Sequence, residues 1–212
     1  EHLKEMLVRL RTGGRMPNAM LFAGPDGVGK RLFAIEIARS FVCRSGGDDL
    51  VCGVCPACVR AGQFEFPRTE DKEAYKKVIR SNHPDVGTVV AANRLIAVDA
   101  IRDLETEAHF RPYEGTARTF IIDDADKMND ASSNALLKTL EEPAPTTHLI
   151  LITSRPETLL PTIRSRCQIF RFAPVEIEKI EQFLVLKGFD QSSARLAAGV
   201  SHCRTGRRAR LP

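Results

Sequence analysis

The sequence predicts an α/β fold: a parallel five-stranded sheet with helices on both faces, followed by a small all-α unit. Three observations carry this. Short apolar runs at residues 19–23, 86–90, 119–122, 149–153 and 168–172 alternate with stretches of helical period. A parallel connection needs a crossover of a dozen or more residues, and the spacing between these runs supplies it. The strand signals then cease near Pro174.

The helices follow from their apolar faces. Residues 2–10 carry Leu3, Met6, Leu7 and Leu10 on one side, and residues 30–42 carry Phe33, Ile37, Ala38 and Phe41. Residues 99–110 carry Ile101, Leu104 and Ala108. Residues 129–142 carry Ala135, Leu136 and Leu140, and Pro143 stops that helix. Beyond the boundary, residues 175–187 and 191–200 both read as helical. The expected division is a sheet domain at 1–173 and a helical unit at 174–212. Residues 64–82 are charged and off-pattern, and read as a surface insertion with one helix at 72–80.

Composition narrows the function classes. With 31 Lys and Arg against 27 Asp and Glu, the net charge is +4, which excludes a polybasic nucleic-acid coat protein. No apolar run approaches the roughly 18 residues that a membrane helix requires, so no membrane association is expected. No signal peptide is evident. The chain starts at Glu1 and stops at Pro212, just after an Arg-rich stretch, and is expected to be a piece of a longer protein.

The first strand runs into Gly24-Pro25-Asp26-Gly27-Val28-Gly29-Lys30-Arg31. G-x-x-x-x-G-K between a strand and a helix is a phosphate-binding loop. Its backbone N–H groups curl around an anion, and the helix N-terminus adds partial positive charge. Gly24, Gly27 and Gly29 let the backbone approach phosphate, and Lys30 reaches the β and γ oxygens. The residue after the Lys is normally Ser or Thr, whose hydroxyl holds Mg²⁺. Arg31 stands there, with no acceptor and a charge that repels a cation. ATP with Mg²⁺ is therefore expected to bind poorly or without turnover.

The run 119–122 ends in Asp123-Asp124. An apolar strand ending in two acids is a Walker B arrangement, the first acid holding Mg²⁺ and the second polarising water. ATPases of this kind usually place Glu second. Asp124 sits about 1.5 Å farther back, and an error near 1 Å costs about 100-fold in rate. Efficient hydrolysis is not expected.

Cys43, Cys52, Cys55 and Cys58 fall within sixteen residues. Four thiolates at such short gaps match a closed, structural zinc site, here a module at 43–62. Buried free thiols and an iron–sulfur cluster are the alternatives. A reducing, cytoplasmic compartment follows from this cysteine usage. Cys167 and Cys203 stand apart and read as packing residues. Arg166 lies in Ser165-Arg166-Cys167 on an expected short turn before the last strand; taken alone, it reads as a surface arginine.

In combination these motifs resemble the bacterial clamp-loader subunits of the AAA+ class. The likeness rests on the P-loop, the four-Cys module after its helix, the acidic strand, Asn134-Ala135-Leu136-Leu137-Lys138-Thr139-Leu140-Glu141-Glu142-Pro143, and Ser165-Arg166-Cys167. It covers nearly the whole chain. The motor subunits of that family (tau/gamma) carry Lys-Thr in the loop and Asp-Glu on the acidic strand. Lys30-Arg31 and Asp123-Asp124 depart from that pattern, and His83-Pro84-Asp85 and Thr153-Ser154-Arg155-Pro156-Glu157 look like the non-motor member.

The resemblance implies a rigid partner in a hetero-pentameric ring with tau/gamma and delta subunits, which places the sliding clamp on primed DNA for DNA polymerase III. It implies that Arg166 acts in trans on a neighbour's ATP, and that Thr153 or Ser154 occupies a sensor position. The helical unit corresponds to the family's lid domain, and the collar domain that follows the lid is not expected in this chain. An ATP-hydrolysing, motor-like subunit is the alternative. The tail Arg204-Thr205-Gly206-Arg207-Arg208-Ala209-Arg210 reads as a sensor-2 helix with Arg207 as the contact, a DNA-backbone patch, or a frayed terminus.

Overall fold

The computed structural model describes residues 16–45, 51–92, 94–186 and 188–203, with a few positions between 5 and 14. The expected Arg-rich tail, with Arg207, lies outside the described residues. Of the expected helix at 2–10, the described residues 5 and 8–11 are helical.

The five expected strands form with small shifts of their ends: β1 (Ala19–Ala23), β3 (Val86–Val89), β4 (Arg118–Ile122), β5 (Thr147–Thr153) and β6 (Gln168–Arg171). Their order, β3-β4-β5-β1-β6, is parallel throughout. β1, β3, β4 and β5 are buried along their whole length, as strands covered on both faces must be. Side chains alternate between two cores. Leu21, Phe120, Ile122, Leu149 and Leu151 face one core, whereas Met20, Phe22, Ile121, Ile150 and Ile152 face the other.

Helix α1 (Lys30–Val42) closes the second core with Ala34, Ile37 and Phe41. Helix α2 (Pro56–Ala61) is short and belongs to the cysteine module. Helix α3 (Val98–Ala108) covers the first core with Ile101 and Leu104. Helix α4 (Asp130–Glu141) joins it through Leu136 and Leu140, and Asn129 caps it by accepting from Ser132 N at 2.9 Å. Helix α5 (Pro161–Arg166) precedes β6. Beyond the sheet, α6 (Ile177–Leu186) and α7 (Gln191–Cys203) pack together, with Ala194 and Ala198 buried.

Three expectations need correction. The sheet has six strands among the described residues, not five: β2 (Ile79–Arg80) adds an antiparallel edge through Ile79↔Thr88 and Arg80↔Gly87. The expected helix at 72–80 is absent. Only a 3-10 turn forms at Ala74–Lys76, because Ile79 and Arg80 are taken by the sheet edge and the β-branched Val78 leads into it. Arg166 does not sit on a turn; it is the last residue of α5, which Pro161 starts at its first position.

Candidate functional site

Strand β1 delivers the loop 24–29 to the N-terminus of α1. Phe172 N donates to Ala23 O at 2.8 Å, and a Cβ on Gly24 would stand 2.3 Å from Phe172 O, so only glycine fits. Gly27 and Gly29 have φ of 82° and 89°, the left-handed region that favours glycine. Gly29 is the N-cap of α1, so the first N–H groups of that helix face the loop. Lys30 is buried. Its ammonium donates to Gly24 O at 2.5 Å and Pro25 O at 2.7 Å, and lies 3.8 Å from Asp26. Burial pushes its pKa down, partly offset by Asp26, Asp123, Asp124 and Asp126.

Asp123 follows β4 and is held there by its N–H donating to Val89 O at 3.0 Å. Its carboxylate is engaged by the loop's own last residue: Arg31 Nη1 lies 2.6 Å from Asp123 Oδ2. The Arg31 guanidinium also lies over Phe66, 4.9 Å from the ring centroid, and 5.9 Å from that of Phe64. Asp124 adopts a left-handed backbone (φ 55°, ψ 53°) and pairs with Lys127 at 2.9 Å. The structure thus brings together Gly24, Gly27, Gly29, Lys30, Arg31 and Asp123, while Asp124 is engaged by Lys127.

Sequence reasoning missed Asp126. This buried carboxylate accepts from Thr153 Oγ1 at 2.8 Å and from Arg155 Nη2 at 2.7 Å and Nε at 3.2 Å. The sensor hydroxyl expected at Thr153 is therefore committed to Asp126. The available signal was the third acid in Asp123-Asp124-Ala125-Asp126. Arg166 is not part of this group. Its Nη1 donates to Thr162 O at 3.0 Å, and its Nη2 pairs with Glu141 at 2.7 Å across the ends of α5 and α4.

The four cysteines converge. All are free thiols, and their Sγ atoms lie within 4.8 Å of one another; Cys43–Cys52 is 3.6 Å and Cys52–Cys58 is 3.9 Å. Four Zn–S bonds of about 2.3 Å in a tetrahedron put the sulfurs about 3.8 Å apart, so the donor set fits such an ion. Cys43 terminates α1, Cys55 is the N-cap of α2, and Cys58 sits one turn later. The N–H groups of Cys52 and Cys55 donate to Cys43 Sγ and Cys52 Sγ, both at 3.4 Å. Hydrogen bonding, chiefly from the Arg44 amide, lowers the Cys55 pKa to about 6, whereas burial raises that of Cys58. Among the described residues, this is the cluster fit for a metal ion.

A parallel sheet in this order, a glycine loop between β1 and α1 and an acid after β4 define an AAA+ P-loop domain. The family model described as "DNA polymerase III, delta subunit" matches residues 1–176, and the chain belongs to that family. The delta' subunit of Bacillus subtilis DNA polymerase III is 34% identical over 188 residues, covering 89% of this chain and 52% of that protein. The gamma/tau subunit of Mycobacterium bovis is 36% identical over 175 residues, covering 81% and 27%. The chain spans about half the length of the delta' relative. A gamma-subunit-related protein of Thermotoga maritima has a similar structure (TM-score 0.56, 21% identity, 96% of this chain and 58% of that one), as does the RuvB motor of the same organism (TM-score 0.54, 16% identity, 93% and 53%). These two likenesses show the fold.

Proposed function

We propose that this chain is a delta'-type, non-motor part of a DNA polymerase III clamp loader, one that lends chemistry to a neighbour and performs none on its own loop. The observation that carries the reading is the Arg31–Asp123 pair at 2.6 Å. The hydroxyl that would ligate Mg²⁺ is missing, and a fixed cation already neutralises the carboxylate that would hold the ion.

The partners on this reading are tau/gamma and delta subunits in a hetero-pentameric ring, the sliding clamp, and primed DNA. The compartment is the cytoplasm, in keeping with the helices, none of which is long and apolar enough to cross a membrane among the described residues. Residues 1–173 act as the AAA+ domain and 174–212 as the lid. Cys43, Cys52, Cys55 and Cys58 hold a structural Zn²⁺, which would cross-link the end of α1 to α2. Arg166 serves as an arginine finger in trans. Its contact with Glu141 is partly exposed, and exposed ion pairs contribute about 0–1 kcal/mol, so a γ-phosphate can displace the carboxylate.

The test is reconstitution with the motor and delta subunits. Arg166→Ala leaves the assembly intact and lowers turnover at the one site it serves by about 10³-fold. Unchanged turnover rejects the finger. A second reading, an ATP-hydrolysing tau/gamma-like motor, is favoured by the intact glycine geometry of the loop. Brisk ATP turnover by the chain alone, abolished by Lys30→Ala, would establish it.

A further inference from the structure

The insertion 64–82 has a defined structure. Its two ends are joined: Phe64 bridges Ser81, and Asn82 N donates to Gln63 O at 2.9 Å. Its middle is anchored by Tyr75, whose hydroxyl donates to Pro67 O at 2.9 Å and whose ring packs with Ile79 and Val90 in a small core that Phe64 joins. Val78 N donates to Asp103 on α3 at 2.8 Å, tying the strap to the sheet domain. The first three residues of the strap are thereby held in place, and they carry two aromatic rings.

Those rings stack on each other, with centroids 6.0 Å apart and planes 25° from parallel. Their shared neighbour is the Arg31 guanidinium, 4.9 Å from Phe66 and 5.9 Å from Phe64. One edge of that guanidinium meets Asp123, and the aromatic rings flank it. A side chain held at both places resists leaving either. Phe66 is 45% exposed, so its ring is only partly withdrawn from water where it meets Arg31.

We propose that the insertion is a latch on the nucleotide site: Phe66, backed by Phe64, is a positioning residue that holds Arg31 on Asp123 and so fills the metal side of the loop from within the chain. The proposal rests on the reading of the loop and Asp123 as a nucleotide site, and it assigns work to a segment that the stator role leaves idle. For Mg²⁺–ATP to bind, Arg31 must leave Asp123 and give up its contact with the rings. The latch therefore sets how strongly the chain refuses Mg²⁺–nucleotide, and an aromatic face at position 66 is what it requires.

The experiment titrates Mg²⁺–ATP, and ATP with EDTA, into the whole chain and its variants. Phe66→Leu keeps an apolar side chain but loses the π face, and tightens Mg²⁺-dependent ATP binding by about 2- to 30-fold, the range of a cation–π contact. Phe66→Trp restores the wild-type affinity. In an Arg31→Thr background, Phe66→Leu changes nothing. An equal gain in both backgrounds, or none with Arg31 present although Arg31→Thr binds Mg²⁺–ATP, overturns the latch.

A second measurement needs no nucleotide. The urea midpoints of Arg31→Thr, Phe66→Leu and the double variant are compared. The expected double variant loses less than the sum of the two single shifts, because either substitution already breaks the contact. Additive shifts overturn the proposal. If Arg31→Thr binds no Mg²⁺–ATP while the midpoints are non-additive, the latch stands and the nucleotide-site reading fails.

Discussion

Arg60 grips Glu114 with both ends of its guanidinium, Nη1 to Oε1 at 3.1 Å and Nη2 to Oε2 at 2.6 Å. Arg60 belongs to α2 in the cysteine module, and Glu114 to the loop that enters β4. This fork is a polar fastening between module and sheet, joined by Arg44 at 3.7 Å from the same carboxylate, beside an apolar contact of Ala38, Val42, Ala57, Ala61 and Val86.

The Glu114 pKa is held below its ordinary value of 4.5, chiefly by Arg60. A carboxyl with a depressed folded pKa adds stability that is fully present above its unfolded value and is lost as pH falls through the folded one. Unfolding followed between pH 6 and pH 3 will show wild type losing stability below about pH 4.5, and Glu114→Gln losing less over the same window. Parallel curves would remove Glu114 from the acid sensitivity of the fold.

Asp85 is 1% exposed and accepts from three backbone N–H groups: Tyr113 at 2.6 Å, and Glu114 and Gly115 at 2.8 Å. It therefore sets the shape of the loop that presents Glu114. Asp85→Ala leaves those donors without a partner, at about 1–3 kcal/mol each before relaxation. We expect a loss of about 3 kcal/mol or more in urea unfolding. A loss under 1 kcal/mol would mean that water satisfies the three donors.

Zinc should be present at one ion per chain by elemental analysis of protein purified without chelator. Cys55→Ser should lose it. Binding energy at a structural zinc site is folding energy, so the loss will melt the 43–62 module first, read as faster amide exchange there than in β1 or β5. A full complement of zinc in Cys55→Ser would exclude that ligand.

Cys167 is buried, and burial pushes its thiol up to about 12. Nucleophilic reaction requires thiolate. Alkylation at pH 8, mapped by mass spectrometry, should leave Cys167 unmodified in the folded protein and modify it in urea. Rapid labelling without denaturant would show that α5 opens readily.

The sheet was legible because its strands are continuous apolar runs, and because a parallel order forces long crossovers between them. The ends of α1 and α4 were legible from Gly29-Lys30 and from Asn129 and Pro143. β2 was not: two residues inside a charged segment carry no period, and they pair with Thr88 and Gly87 across the short turn at 81–85. Helix α2 was hidden because the segment was read only for its cysteine spacing, although Pro56 at its first position was a signal. The anomaly at Arg31 was plain in the sequence. Its partners Asp123, Phe64 and Phe66 lie dozens of positions away, and only the fold brings them together. The same holds for Asp126 and Arg155.

The glycine that opens the loop touches the chain just beyond the last strand. Gly24 is bare so that the Phe172 carbonyl can close against it, and Phe172 stands a few residues before α6. The segment leading to the terminal helices and the mouth of the anion cradle thus share one bearing surface, with no side chain between them to act as a cushion. Any side chain at position 24 would act as a wedge in that joint, altering how the terminal helices hang from the sheet as well as what the cradle can hold.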